Sequence, residues 1–303
     1  MWAGFRSVLC PVDFSEQSRL ALRYAEAVAR RGGAALTIAY ANDPLLVAAA
    51  AAALHDRALA RRSGRELQQL VDATLSPRTR DELRVKTVVA IATPADLIMK
   101  TVTRARADLI VMGTHGLTGA DRLLLGSTTL SVLQRALVPV LAVPRPGDPL
   151  APDWWQRWPG DPILAAVELD EDSRRDADLA ADIAQWFGSA LRLVHVVPEM
   201  AAPGWLRADL SPHDRSRMAN ATRQLDAVAA RAGKRVKTDT RVLSGAVADE
   251  IAALAATERT GLVITALRDR RGWFGARRGS ISYHVLSHAI TPVLALPPTW
   301  RRR

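Results

Sequence analysis

A single cysteine, Cys10, stands in the 303 residues, so no intrachain disulfide can form and a reducing cytoplasm suits the chain. Cys10 falls in an apolar strand-like run and is expected to pack as a small hydrophobe. Lysine is nearly as scarce. Lys86, Lys100, Lys234 and Lys237 are the only four, so the formal net charge of +10 is carried by arginine. No apolar run approaches the roughly 20 residues needed to cross a bilayer. The alanine-rich stretch from Leu45 to Leu54 is too short and runs into His55, Asp56 and Arg57. Met1 to Asp13 holds Arg6 and ends in an acid, which suits a first strand better than a secretory leader. These absences exclude a disulfide scaffold and a helical membrane protein.

What remains is a soluble globular composition, 49% hydrophobic and 24% charged, of a length that suggests two domains. The positive charge is shared between them. Residues 1–150 carry 19 Lys+Arg against 13 Asp+Glu (19 − 13 = +6), and residues 151–303 carry 22 against 18 (22 − 18 = +4). An even excess of arginine on an alanine-rich chain reads as a solvated surface. A surface selected for an anionic partner is the alternative.

Self-comparison fixes the organisation. Gly126-Ser127-Thr128-Thr129-Leu130-Ser131-Val132-Leu133 recurs as Gly279-Ser280-Ile281-Ser282-Tyr283-His284-Val285-Leu286, an offset of 153 (279 − 126). Val138-Pro139-Val140-Leu141-Ala142 recurs as Thr291-Pro292-Val293-Leu294-Ala295 at the same offset. Upstream the offset is 155, as Val12-Asp13 against Val167-Glu168 shows (168 − 13). The chain is therefore expected to hold a first domain over 1–145, a linker over 146–161 and a second domain over 162–303. The linker is rich in Pro and Gly, and its Trp154, Trp155 and Trp158 are expected to pack onto the domains.

Each copy alternates strand-like and helix-like segments. Phe5–Val12 is an apolar β run; Ser15 offers an N-cap, and Leu20, Ala21, Tyr24, Ala25 and Val28 follow at helical spacing until Gly32-Gly33. Ala35–Ala41 reads as a strand, Val47 to Ala73 as one long helix, and Leu83–Val89 as the third strand. Pro94 opens a helix to about Arg104, Asp108–Met112 is a fourth strand, Ser127–Ala136 the last helix and Pro139–Val143 the last strand. Short, wholly apolar strands separated by helices predict a parallel sheet covered on both faces, the doubly wound α/β class.

One segment carries chemistry: Val111-Met112-Gly113-Thr114-His115-Gly116-Leu117-Thr118-Gly119, continuing to Leu125-Gly126-Ser127-Thr128. Glycine follows a buried strand, recurs three residues on, and recurs again before a helix. A backbone without Cβ atoms turns sharply there and lets its N–H groups approach a ligand. The helix then presents unpaired N–H groups and the positive end of its dipole, and Ser127 adds a hydroxyl, which suits a phosphate chain. No lysine precedes Ser127, so this is not a Walker A loop, and the glycine spacing is not that of a dinucleotide fingerprint.

Gly113-x-x-Gly116, nine residues, then Gly126-Ser127 resembles the ATP-binding signature of the universal stress protein family. Val8-Leu9-Cys10-Pro11-Val12-Asp13-Phe14-Ser15-Glu16 resembles that family's first strand and turn, and Asp108–Gly113 and Val138–Pro144 its last two strands. The resemblance spans the first copy and, more weakly, the second. It implies five parallel strands per domain in the order 3-2-1-4-5, with the ligand crevice between strands 1 and 4. Carried over by position, Asp13 accepts hydrogen bonds from ribose or adenine, and the backbone at Ala41 lines the adenine edge. Gly113, His115 and Gly116 contact ribose and the first phosphates; Gly126, Ser127 and Thr128 contact the outer ones. Pro11 and Met112 form apolar walls. ATP accompanied by Mg²⁺ is the implied ligand. Ala92 departs from the glycine common at that place, two residues before Pro94.

The second copy has drifted. Gly113 becomes Ala266, Gly116 becomes Asp269 and Asp13 becomes Glu168, while Gly279-Ser280 survives. A Cβ at Ala266 and a carboxylate at Asp269 together should weaken nucleotide binding about 30- to 1000-fold. Arg268, Arg270, Arg271, Arg277 and Arg278 crowd the same loop and leave open a site rebuilt for another anion. His284 and His288 stand at i and i+4, but no third metal ligand has suitable spacing.

The sequence thus supports a cytoplasmic ATP-binding stress-response protein with slow or absent hydrolysis, since His115 is the only weak candidate for a general base. Two alternatives stand beside it: a true ATPase or nucleotidyl transferase, and a nucleotide-independent scaffold meeting protein or nucleic acid through arginine. The last strands, Pro139–Val143 and Pro292–Leu296, are where the family pairs subunits. Within one chain they can pair as a pseudo-dimer, with a further homodimer also open.

Overall fold

The computed structural model describes residues 2–53, 59–115, 125–145, 154, 158–200, 211–268 and 281–301. The first copy runs β1 (Ser7–Pro11), α1 (Glu16–Gly32), β2 (Ala35–Asn42), α2 (Pro44–Ala53), α3 (Leu59–Thr74), α4 (Pro77–Glu82), β3 (Val85–Ile91), α5 (Pro94–Ala105), β4 (Leu109–Gly113), α6 (Ser127–Arg135) and β5 (Val140–Val143). The second runs β6 (Ile163–Ala166), α7 (Ser173–Phe187), β7 (Leu191–Val197), α8 (Ser211–Ala232), β8 (Thr238–Ser244), α9 (Val247–Thr257), β9 (Val263–Ala266), α10 (Ile281–His288) and β10 (Val293–Leu296).

Local chemistry explains the boundaries. Ser15 caps α1 by accepting the Ser18 N–H, and Gly33 closes it in the left-handed conformation at φ 58°. Thr93 caps α5 the same way, with Pro94 in its first turn. The expected long helix over 47–73 is described as α2, beginning at Pro44, and α3, ending at Thr74. Residues 54–58 between them lie outside the described residues. The short α4 has no apolar period in the sequence; Ser76 creates it by capping Thr79 N, and Glu26 holds Ser76 N at 3.0 Å.

Within each copy the strands are parallel and ordered 3-2-1-4-5. Across the molecule, however, the two sheets are one, ten strands in the order β3-β2-β1-β4-β5-β10-β9-β6-β7-β8. The join is the antiparallel pair of β5 and β10, with Leu294 opposite Leu141, so the whole sheet is mixed. Alternate strand residues feed opposite faces. Val8, Cys10, Leu109 and Val111 belong to the core layer covered by α1, α3, α7 and α8, whereas Leu9, Ile110 and Met112 belong to the layer covered by α5, α6, α9 and α10. Each cluster crosses from one copy into the other.

An aromatic seam reinforces the join. Trp2 lies edge-on to Phe5 (4.9 Å between centroids) and tilted against Trp186 (5.9 Å). Trp154 and Trp158 of the inter-copy segment pack on Tyr24 at 4.1 and 5.2 Å, and Trp158 also meets Phe187. Trp155 and most of the expected linker lie outside the described residues. Gly4, at φ 82°, lies so close to the Trp186 indole that a Cβ there would collide with it.

Candidate functional site

β1 lies between β2 and β4, paired through Val8 with Leu36 on one side and Leu109 on the other. The chain leaves β1 towards β2 and returns to β4, so the carboxyl ends of β1 and β4 part and leave a crevice at the topological switch point. Asp13 follows the end of β1, and Gly113 ends β4. The structure brings these two sequence-predicted residues to one edge of the sheet.

The β1–α1 turn is tightly specified. Asp13 Oδ1 accepts from Ser15 N at 3.1 Å and from Ser15 Oγ at 2.5 Å. Among the described residues its Oδ2 has no hydrogen-bond partner. Phe14 adopts φ 66°, which is strained for a bulky side chain, and its ring rests 4.5 Å from that of Tyr40. Burial, followed by the charge of Asp13, raises the Tyr40 phenol above its ordinary range. Ala41 follows on β2, half-buried, and Pro11 and Met112 line the ends of their strands.

The β4–α6 loop is anchored at both ends. Thr114 N donates to Val143 O at 3.0 Å and Gly126 N to Thr114 O at 2.8 Å, so the loop closes on itself. Thr129 Oγ donates to Gly113 O at 2.9 Å and ties α6 to the end of β4. A Cβ at Gly113 would stand 3.2 Å from Gln17 Cγ and 3.3 Å from His115 O, and one at Gly126 3.3 Å from Thr114 O. Gly126 is the N-cap of α6 without a side-chain cap bond, and no acidic residue stands in the first turn. The N–H groups of Ser127 and Thr128 therefore open the helix with no compensating charge at its positive dipole end among the described residues. Gly116 lies outside the described residues.

Gln17, which sequence reasoning missed, joins these parts. With its amide turned to satisfy both ends, Nε2 donates to His115 O at 3.1 Å. Oε1 accepts from Thr114 Oγ at 3.2 Å and from Arg145 N at 3.0 Å. Since Thr114 Oγ–H is given to Gln17, Thr114 accepts from His115 Nδ1 at 2.9 Å. In the neutral ring that arrangement leaves Nε2 of His115 an acceptor, and the atom is buried with no partner among the described residues. A glutamine in a first helical turn carries no motif, so only the fold could reveal this role.

The second copy keeps the frame and changes the contents. Ser282 Oγ donates to Ala266 O at 2.9 Å, as Thr129 does to Gly113 (282 − 153 = 129). His195, in the place of Tyr40 (195 − 155 = 40), bonds Val167 O through Nδ1 at 2.8 Å. Arg268, in the place of His115, is enclosed by carboxylates: Asp176 at 2.6 Å, Asp170 at 3.1 Å, Glu168 at 3.7 Å and Asp172 at 3.8 Å. Of the arginines expected to crowd this loop, Arg268 is thus spent on internal acids, and the other four lie outside the described residues. The rings of His284 and His288 lie tilted with centroids 5.9 Å apart, and no cluster of metal-ligating residues occurs among the described residues.

Comparison with known proteins agrees with this architecture. A model of the universal stress protein family matches residues 4–144 and 160–297, and the chain belongs to that family. A universal stress protein of Thermus aquaticus is 33% identical over 142 residues, 46% of this chain and 98% of that protein. Over 64 residues, 21% of this chain, identity to the Methanocaldococcus jannaschii universal stress protein MJ0531 reaches 42%; that stretch spans 38% of the relative's length. Among solved structures, a universal stress protein from Archaeoglobus fulgidus shares the fold across 96% of this chain and 98% of its own, with a TM-score of 0.59 and 16% identity. Nearly the whole of the Thermus protein thus corresponds to under half of this chain, which holds two copies of the unit.

Proposed function

We propose that the first copy binds ATP in the crevice between β1 and β4, and that nucleotide occupancy sets the conformation or partner choice of a cytoplasmic stress-response protein. The observation that carries this reading is the convergence of the Asp13 turn with the open N-terminus of α6 at the switch point. Asp13 Oδ2 and the backbone at Ala41 suit a nucleoside, with Pro11 and Met112 as apolar walls. Gly113, His115 and Gly116 would meet ribose and the first phosphates, and Gly126, Ser127 and Thr128 the outer ones. His115 Nε2 is an acceptor suited to a ribose hydroxyl. Among the described residues the donors on the phosphate side are backbone N–H groups and hydroxyls, without a carboxylate. That set fits phosphate and lacks ligands for a metal held by protein alone, so Mg²⁺ would arrive with the triphosphate.

Hydrolysis would be slow or absent. Among the described residues no carboxylate at the phosphate end is placed to activate water, and His115 is committed through Nδ1 to Thr114. Steady-state phosphate release from Mg-ATP tests this point: turnover lost in His115→Ala with binding retained would instead make the protein an ATPase. Retardation of DNA or RNA that weakens steeply with salt, without nucleotide binding, would favour the scaffold.

A further inference from the structure

The second crevice contains a cation of its own. Arg268 follows β9, and only 15% of its side chain is exposed. Asp176 and Asp172 approach its Nη1, Asp170 its Nη2 and Glu168 its Nε. Glu168 follows β6 by two residues, Asp170 and Asp172 belong to the turn beyond it, and Asp176 to the first turn of α7. A planar guanidinium with five donors is the side chain suited to bind several carboxylates at once. Two more cations bear on the cluster: Arg175, 3.5 Å from Asp176 and bonded to Trp300 O at 3.1 Å, and Arg301 beside it. His195 faces the crevice from β7 and is held to Val167 O.

The energetics favour a fixed ion cluster. Burial raises the Asp176 carboxyl, and the Arg268 charge opposes that rise. Burial also works against the Arg268 charge, but Asp176, Asp170 and Glu168 outweigh it and the guanidinium is held above its ordinary value. A cavity of about 30 Å³ remains among Ala166, Glu168, His195, Thr265, Ala266 and Arg268. That is space for about one or two waters and not for a nucleobase.

We propose that Arg268 locks the second crevice: its side chain fills the ligand space, occupies the acceptors a nucleoside would use, and braces β6 and β9 against α7. The tandem chain then carries one nucleotide site, in the first copy. Only this stoichiometry rests on the function proposed above; the lock itself stands on the ion cluster.

Thermal unfolding of the full chain at pH 7.5 and pH 4.5 tests the lock, using wild type, Arg268→Gln and the double variant Arg268→Gln, Asp176→Asn. Loss of Arg268 leaves Asp176 buried beside three other carboxylates, with only Arg175, at 3.5 Å, as a neighbouring cation among the described residues. Arg268→Gln should therefore lower Tm by about 5–10 °C at pH 7.5. The loss should be less than half as large at pH 4.5, because an acid with a raised pKa takes up its proton as pH falls and the repulsion goes with it. The double variant, which removes the buried charge along with its partner, should recover at least half of the loss at pH 7.5. If Arg268→Gln fails to fold at pH 7.5, folding of the double variant supports the lock and its failure overturns it. Equal losses at both pH values, or no recovery in the double variant, also overturn it. Calorimetric titration of the wild type with Mg-ATP adds a separate reading. Two nucleotides per chain contradict the lock, whereas none contradicts the first-copy reading and leaves the melting curves to decide the lock.

Discussion

Asp13 and Glu168 occupy the same place in the two copies and meet different neighbours. Asp13 is fixed through one oxygen by Ser15, and its other oxygen has no partner among the described residues, whereas Glu168 faces Arg268. Asp13→Ala should therefore weaken Mg-ATP binding about tenfold, the loss of a charge-assisted hydrogen bond, while Glu168→Ala leaves nucleotide binding unchanged. Titration of both variants checks this, and equal effects would remove the asymmetry from the account. Cys10 is fully buried in β1, and burial pushes its thiol well above the ordinary range. Native protein should accordingly resist a thiol reagent such as DTNB at pH 8 and react fully once unfolded in urea. Rapid reaction of native protein would mean that β1 opens readily. The meeting of Asp13 with Gly113 and Gly126 at one edge of the sheet was legible from sequence because turn and cap positions are tied to residue type. Gln17 and Arg268 were not, since each acts through partners far away in the chain, Gln17 on Thr114 and Arg145 and Arg268 on Glu168 and Asp176.

Among the elements, α6 and the loop before it decide what the crevice can hold. The helix has an uncapped glycine at its start, and the loop is tied at Thr114 to both Val143 and Gly126. Gln17 fastens this loop to α1 at two points, His115 O and Thr114 Oγ, and holds Arg145 N beyond β5 as well. Gln17→Ala should lower Mg-ATP affinity about 3- to 10-fold through loosening of the loop, with a Tm change of only a few degrees. A large fall in Tm without a change in affinity would make Gln17 a structural residue only. Most strands and helices of the first copy were readable within a few residues, because apolar runs, Ser15, Thr93-Pro94 and Gly33 mark their ends. α4 was not: it exists because Glu26, on α1, accepts from Ser76 and from Thr79, a contact across about fifty residues of chain. Repetition made the order 3-2-1-4-5 legible in both halves once the family resemblance was in hand.

At the scale of the whole molecule, the antiparallel β5–β10 ladder and the Trp2–Phe5–Trp186 seam turn two copies into one sheet with shared cores. Sequence allowed this pairing within a chain or between chains; backbone geometry chooses the former. A chain cut after residue 145 would expose the β5 edge and the apolar surface that meets Trp158 and Trp186. It should self-associate, while the full chain stays monomeric in light-scattering chromatography at the same concentration. A monomeric fragment would show the join to be dispensable. The central claim is that this pseudo-symmetric sheet carries one working nucleotide site, in its first half. Calorimetric titration of nucleotide-stripped protein with Mg-ATP, beside a Gly113→Ala, Gly126→Ala double variant, tests it most directly. The account predicts one nucleotide per chain, and its loss in the variant, where the added Cβ atoms crowd Gln17, His115 and Thr114. No binding at millimolar ATP, or binding unaffected by the two substitutions, would contradict it.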